Sequence, residues 1–364
     1  GGLGVRQAAA NVNREINDHL AGRSFDDQRS FDHALIDRDG TPNKSRLGAN
    51  AILACSIAFA RARAAERGVP LYEHFADILQ QPLRTQPRLT INLFSGGRHA
   101  GKQVAIQDVL IVPASTDTIE SSLVMMYAIY HAARKLCEER YRIRWLTADE
   151  GGLAPPAENA ERLLDLAVAA IEAAGYAPGE DAALALDIAS SHFYDDGDYL
   201  IDGERRSAGA IIDTLAGWVD RYPVVSVEDG LFEEDWDHWP ALREAIAGKA
   251  LVLGDDLLCT NPARIRRAIE IGACDALLLK VNQVGTLSES AEACRLAREA
   301  GWQVTISVRS GETEDDWAAD LVVGWAGDQF KNGSITQSER LAKYNRLLEI
   351  EGEIDLPMVR WPTG

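Results

Sequence analysis

No apolar run in this sequence approaches the roughly 20 residues a membrane-spanning helix needs, and no signal-peptide pattern stands at its start. The five cysteines, Cys55, Cys137, Cys259, Cys274 and Cys294, are odd in number and include no CxxC pair. That speaks against a disulfide framework or a zinc site and for a reducing cytoplasm. Basic residues are outnumbered, 37 Lys and Arg against 56 Asp and Glu, and they are scattered rather than gathered into a stripe. With a formal net charge of −19, the chain lacks the basic surface that binding to a phosphate backbone requires, so neither nucleic acid nor membrane is expected as a partner. A small anionic substrate stays open, because a local basic pocket can sit on an acidic protein. Low-complexity segments and short repeats are also missing. The chain opens on Gly1-Gly2-Leu3-Gly4 instead of Met, so an N-terminal piece is expected to be absent.

What is present reads as an ordinary globular protein, 46% apolar and 26% charged over 364 residues. That length predicts one large barrel or two domains. Residues 1–80 read as mostly helical. The stretch Leu47–Glu66 is rich in alanine with apolar residues on a helical period, and Gly68 and Pro70 end it. Gln80–Gln86, with Pro82, reads as a linker. This divides the chain into 1–83, the helical part of an α+β capping domain, and 84–364.

Past the linker, short apolar runs recur at Thr90–Phe94, Val104–Pro113, Ala183–Ala189, Val224–Glu228, Leu251–Asp255, Ala276–Val281, Val304–Val308 and Leu321–Gly324. Only a Gly-rich turn separates the first two. Amphipathic helices such as Asn261–Ile271 and Ser288–Ala300 separate later ones. Alternating strands and helices predict a parallel sheet, and eight strands predict a closed α/β barrel. The opening hairpin departs from a plain (βα)₈ repeat and gives a ββαα(βα)₆-like order.

Such a barrel builds its active site at the C-terminal strand ends, and the sequence places unusual polar residues there. Asp187 and Glu228 end their strands, Asp255 follows Gly254, Lys280 ends Leu277–Lys280, Arg309 and Ser310 follow Val308, and Lys331 follows the last expected strand. One charged residue ending a buried strand is as often an ion pair as a functional group. Six of them around one barrel predict a site. Asp187, Glu228 and Asp255 offer hard oxygen ligands from three consecutive strands, which suits Mg²⁺. Without a cation, three converging carboxylates would repel one another. Lys280 and Lys331 are expected opposite them, with Lys280 as a base whose pKa is pushed down by nearby positive charge.

The motifs, in their order, resemble the enolase family. Asp39–Ala51 reads D-G-T-P-N-K-S-x-L-G-A-N-A. Gly96–Gly101, Asp149–Gly152, Ser226–Asp229, Gly254–Leu257, Leu277–Gln283, Arg309–Asp315 and Ser338–Asn345 follow, and the resemblance covers essentially the whole chain. It implies an enolase-type barrel, Mg²⁺ as cofactor, a small anionic phospho-acid substrate and a homo-oligomer, dimer or larger. By the same resemblance, Asp187, Glu228 and Asp255 are Mg²⁺ ligands and Lys280 is the base that takes the C2 proton of 2-phosphoglycerate. Glu150 is the acid that helps the C3 hydroxyl leave, and His99 closes over substrate from a mobile loop. Lys331 contacts the substrate carboxylate, and Arg309 and Ser310 contact its phosphate.

The departures from the family pattern gather at the site. Val308 stands where the family has histidine before its Arg-Ser pair, and Asp108 in Gln107-Asp108 stands where it has Glu. Arg98 and Lys102 bring two cations to the mobile loop, and Gly230 replaces a proline. Asp149 and Lys331 also have unusual neighbours. The family's first strands and first mobile loop, which supplies a serine ligand to a second Mg²⁺, are not within these residues. Val308 opens space and the added cations suit a larger anion, so the substrate end is expected to be rebuilt. Gln107, Asp108, Arg98 and Lys102 therefore join the candidate site. The nearest match of this kind is the enolase-like carboxyphosphonoenolpyruvate synthase of phosphinate natural-product pathways. The alternatives are an ordinary phosphopyruvate hydratase and a non-catalytic paralogue that acts as a binding protein.

Overall fold

The alanine-rich stretch is a helix, Ala49–Arg67, closed by Gly68 in the left-handed conformation, as a glycine C-cap allows. It packs with Gln28–Asp39 around a small core of Ile16, Phe31, Leu35, Leu47, Ala51 and Ile52. A third helix, Leu71–Leu79, follows. In this computed structural model the described residues are 4–142 and 144–362. The opening Gly1-Gly2-Leu3 and the closing Thr363-Gly364 lie outside them. No described helix is long and apolar enough to cross a membrane.

Among the described residues eleven strands follow. They are β1 (Arg88–Ser95), β2 (Asp108–Pro113), β3 (Ala182–Asp187), β4 (Tyr194–Asp195), β5 (Asp198–Ile201), β6 (Glu204–Arg206), β7 (Val224–Glu228), β8 (Leu251–Gly254), β9 (Ala276–Leu279), β10 (Gln303–Ser307) and β11 (Gln329–Lys331). Eight of them close a barrel in the order β1-β11-β10-β9-β8-β7-β3-β2, and β4–β6 form a separate three-stranded sheet. Strand β2 runs antiparallel to both of its neighbours. The other barrel pairs are parallel. Two helices, Ile119–Tyr141 and Ala160–Ala173, follow the opening hairpin, and single helices link most of the later strands. Several helices start at side-chain caps, among them Thr118, Asn159, Ser207, Asn261 and Thr286. Each cap accepts a backbone N–H that would otherwise lack a partner.

Three expectations are corrected. Leu321–Gly324 is not a strand but the end of the helix Trp317–Gly324, and the eighth strand is the three-residue β11. A short apolar run suits a strand or a fully buried helix equally, and here Ala318 to Gly324 are all buried. Lys331 consequently ends its strand instead of following it. The second strand starts at Asp108, not Val104, because residues 104–107 fold back on the Gly-rich turn, where Val104 and Gln107 carbonyls accept the Gly97 and Gly96 N–H groups.

The helix Trp317–Gly324 also joins the barrel to the capping helices. A Cβ at Gly324 would come within 2.4 Å of the Tyr72 carbonyl oxygen and 2.7 Å of the Phe75 Cβ. Gly324→Ala is therefore expected to destabilise the fold by ~1–3 kcal/mol, the usual cost of overpacking. Scanning calorimetry should show a clearly lowered midpoint, and an unchanged midpoint would mean that the two helices can slide apart freely.

Candidate active site

Strand register delivers the acidic residues. Ser95 pairs with Asp108 across β1–β2, Asp108 with Asp187 across β2–β3, and Asp187 with Glu228 across β3–β7. On the other side of the barrel Ser307 pairs with Lys331. Polar residues thus end neighbouring strands at one level. Glu150 arrives separately, on the loop before Ala160–Ala173, where its carbonyl accepts the Ser334 N–H at 2.9 Å.

The side chains interlock. Lys331 Nζ donates to Asp187 Oδ2 at 2.7 Å and to Glu228 Oε2 at 2.6 Å, with all three residues buried. Lys280 is ion-paired with Asp255, whose other oxygen accepts from Gln283 Nε2 at 2.7 Å. Gln107 Nε2 donates to Asp187 Oδ2 at 3.0 Å. Asp108 accepts from Ser95 Oγ at 2.6 Å and Asn92 Nδ2 at 2.9 Å, and Asn92 also donates to Glu150 Oε2 at 3.2 Å. His99 Nδ1 stands 4.0 Å from Glu150 Oε1.

One cavity of about 250 Å³ collects Gln107, Asp108, Glu150, Asp187, Asp255, Lys280 and Lys331. Arg98, His99, Arg309 and Ser310 complete its wall. Glu228 is tied to it through Lys331. Lys102 is not brought in: it is exposed, in the left-handed region at φ 63°, with its N–H turned back to Gly97 O. A wider cleft of about 680 Å³ lies against the capping helices. Three of its acids, Asp77, Glu289 and Glu292, are already paired with Arg67, Lys44 and Arg266.

Electrostatics follow from burial and pairing. Burial, then Asp187, pushes Glu228 well above the usual carboxylate range. Burial, then Glu150 and Asp187, does the same to Asp108. Burial also works to raise Asp187, but Lys331 outweighs it and the net shift is downward. The lysines were expected to have lowered pKa values beside a bound cation; with the acids facing them directly, the balance runs the other way. Burial opposes their charge, yet Asp255 beside Lys280, and Asp187 and Glu228 beside Lys331, raise both.

Among the described residues, Glu228, Asp229 and Asp255 form an acidic group with one carboxylate oxygen from each within 4.8 Å of the others, and Asp187, expected as a ligand, is not part of it. Asp229 was not singled out in the sequence, although it directly follows Glu228. Both of its oxygens are committed, accepting the Asp255 N–H at 3.0 Å and the Asp256 N–H at 2.7 Å. It therefore shapes the loop that presents Asp255. Glu228 Oε1, by contrast, is buried with no hydrogen-bond partner among the described residues. Buried hard oxygens with one unsatisfied acceptor fit a divalent cation such as Mg²⁺.

Other contributors were also missed. Arg340 and Lys343 are fully buried, and they hold the loop that carries Arg309 and Ser310. Arg340 donates to the Arg309 and Ser310 carbonyls at 2.9 and 2.8 Å, and Lys343 Nζ donates to the Thr313 carbonyl at 2.7 Å. Their signal was the spacing of two cations within Ser338–Asn345, on the buried face of the helix Ser338–Glu353. Asn92 sits between Ile91 and Leu93 inside β1 and gave no signal of its own.

Carboxylates and lysines meeting at the ends of parallel strands define a (β/α)-barrel enzyme site. Comparison with protein-family models identifies the lineage. "Enolase, N-terminal domain" matches residues 1–75, and "Enolase, C-terminal TIM barrel domain" matches residues 84–358. The chain belongs to the enolase family.

Asp229→Asn removes one of the two acceptors behind the Asp255 loop. It is expected to weaken Mg²⁺ binding ~10–100-fold, as loss of a partner behind a ligand typically does, with an unchanged circular dichroism spectrum. Calorimetric titration with MgCl₂ reads this directly, and an unchanged affinity would show that the loop holds itself.

Proposed function

We propose that this protein is a Mg²⁺-dependent enolase-family enzyme whose substrate end is rebuilt. It acts on a three-carbon acid of the phosphoenolpyruvate or 2-phosphoglycerate type, with carboxyphosphonoenolpyruvate synthase of phosphonate and phosphinate biosynthesis as the activity that fits best. The observation that carries this reading is the cavity itself. Its floor keeps the acids and both lysines, while its wall has Val308 next to Arg309 and gains Arg98.

In this reading Asp187, Glu228 and Asp255 hold the cation, with Asp229 setting the position of Asp255. The chemistry the cation supplies is positive charge, set against the negative charge left when C2 gives up its proton. Lys280 takes that proton; the pairing of a lysine base with Mg²⁺ is the established habit of the enolase superfamily. Lys331 and Gln107 orient the substrate carboxylate. Arg309, Ser310 and Arg98 meet the phosphorus-bearing end, and His99 with Glu150 and Asp108 manages the proton at C3. A homo-oligomer in a reducing cytoplasm belongs to the same reading.

An ordinary phosphopyruvate hydratase is the second reading. The retained Glu150, 4.0 Å from His99, favours it, because loss of a C3 hydroxyl needs an acid there.

The deciding assay gives the protein Mg²⁺ and 2-phosphoglycerate and follows phosphoenolpyruvate absorbance. A rebuilt substrate end predicts negligible turnover with Mg²⁺ bound; rates of ~1–10³ s⁻¹, ordinary for enzymes, would establish the hydratase instead. Val308→His should raise 2-phosphoglycerate turnover, and no gain would mean that position 308 does not set substrate choice. Lys280→Ala is expected to abolish C2 proton exchange, followed by NMR in deuterium oxide, with Mg²⁺ affinity kept. Exchange that survives this substitution would remove Lys280 from the role of base.

A further inference from the structure

The chain has only seven histidines, and none is a sequence neighbour of Val308. The fold nevertheless places one in the same cavity. His192 closes the 3₁₀ turn Ser190–His192, which follows β3. Three contacts set this turn. Ala189 is left-handed at φ 48°, its carbonyl accepts the His192 N–H at 2.9 Å, and the Ser190 N–H is held by the Asp229 carbonyl at 3.1 Å. The ring lines the cavity together with Val308, Arg98 and Arg309. Its Nδ1 is buried and has no hydrogen-bond partner among the described residues. A buried polar atom left unpaired in a native site calls for an explanation, and a ligand atom is the simplest one in a cavity of this kind.

We propose that His192 is a specificity-determining residue, whose imidazole joins Arg98 and Arg309 in receiving a tetrahedral PO₃ group, phosphoryl or phosphonyl, at the end of the cavity where Val308 offers no donor. This rests on the reading above, that the site takes a phospho-acid. Three terminal oxygens need several convergent donors. Two guanidiniums supply charge and paired N–H groups, and an imidazole supplies one more directional contact. Arg98 is the cation facing the ring, His99 stands beside it, and Asp187 and Glu233 are the acids. Burial, then Arg98, holds its pKa below the ordinary value, so the ring is neutral near pH 7. A neutral ring donates from one nitrogen only, which makes its contact directional. His192 takes no part in the acid and lysine network of the floor.

The test uses the full chain and inorganic phosphate as the probe, titrated by calorimetry with pyruvate run in parallel. Pyruvate carries the carboxylate but no phosphorus. His192→Ala is expected to lose phosphate affinity about tenfold or more, the loss associated with one hydrogen bond to a charged group. His192→Asn, whose amide reaches about as far as Nδ1, should recover part of it. Pyruvate affinity, Mg²⁺ affinity and the thermal midpoint should stay at wild-type values in both variants. Equal phosphate affinity in wild type and His192→Ala overturns the proposal, as does a wild type that binds no phosphate. An equal loss for pyruvate also overturns it, since that would mark a structural role. Failure of the parent reading looks different: phosphate binding would still depend on His192, while no three-carbon phospho-acid exchanged its C2 proton.

Discussion

Lys331 sits buried between Asp187 and Glu228, within 2.7 Å of both, and the geometry of the barrel mouth depends on that bridge. Adjacent strands in register bring Asp108, Asp187 and Glu228 to one level, where like charges in a low-dielectric interior repel strongly. Lys331 arrives from β11, which pairs with β1 of the opening hairpin, and divides its charge between two of the acids. The result is asymmetric. Asp187 is held ionised, while Glu228 and Asp108 are pushed towards their protonated forms. Taking one partner out of such a buried set typically costs about 3–5 kcal/mol, because the remaining charges are left stranded. Specificity of arrangement, more than net stability, is what this bridge contributes.

Around that centre, the protein holds its loops from behind. Asp229 uses both carboxylate oxygens on the backbone that presents Asp255. Arg340 and Lys343 reach from the final helix to carbonyls of the loop carrying Arg309 and Ser310. Such contacts place the functional groups with little conformational freedom left to lose, which is the usual condition for an effective charged site. The exposed members of the wall, Arg98, Arg309 and Ser310, are the less constrained ones. Of the departures from the family pattern, Arg98 falls there, while Val308 and Asp108 are buried. A substrate end that varies over a fixed floor is how one barrel chemistry is turned to several substrates.

Much of the chain was legible from its pattern. Strand-length apolar runs ending in charged residues located seven of the eight barrel strands and most of the site, because a buried strand can carry a charge only where it meets a cavity or a partner. The eighth strand was misplaced because Leu321–Gly324 is apolar on all sides, and burial of a whole helix erases the period that would separate it from a strand. The true strand, Gln329–Lys331, is too short to show any period. Lys102 looked like a site residue because it adjoins His99 in sequence. The left-handed turn at Gly101 and Lys102 takes it out of the cavity.

By itself, the sequence determined the barrel class, the capping helices, the acids and lysines that meet at the strand ends, and the family. The structural features are set by local period and by residue type at strand ends, and the family came from the resemblance of its motifs; all of these are linear properties. Only the tertiary structure decided which acid each lysine pairs with. It alone put Asp229 behind Asp255, Arg340 beneath Arg309, and His192 in one cavity with Val308, more than a hundred residues away in the chain. Barrel closure brings distant strand ends within a few ångströms of each other, and no linear spacing encodes which of them will touch.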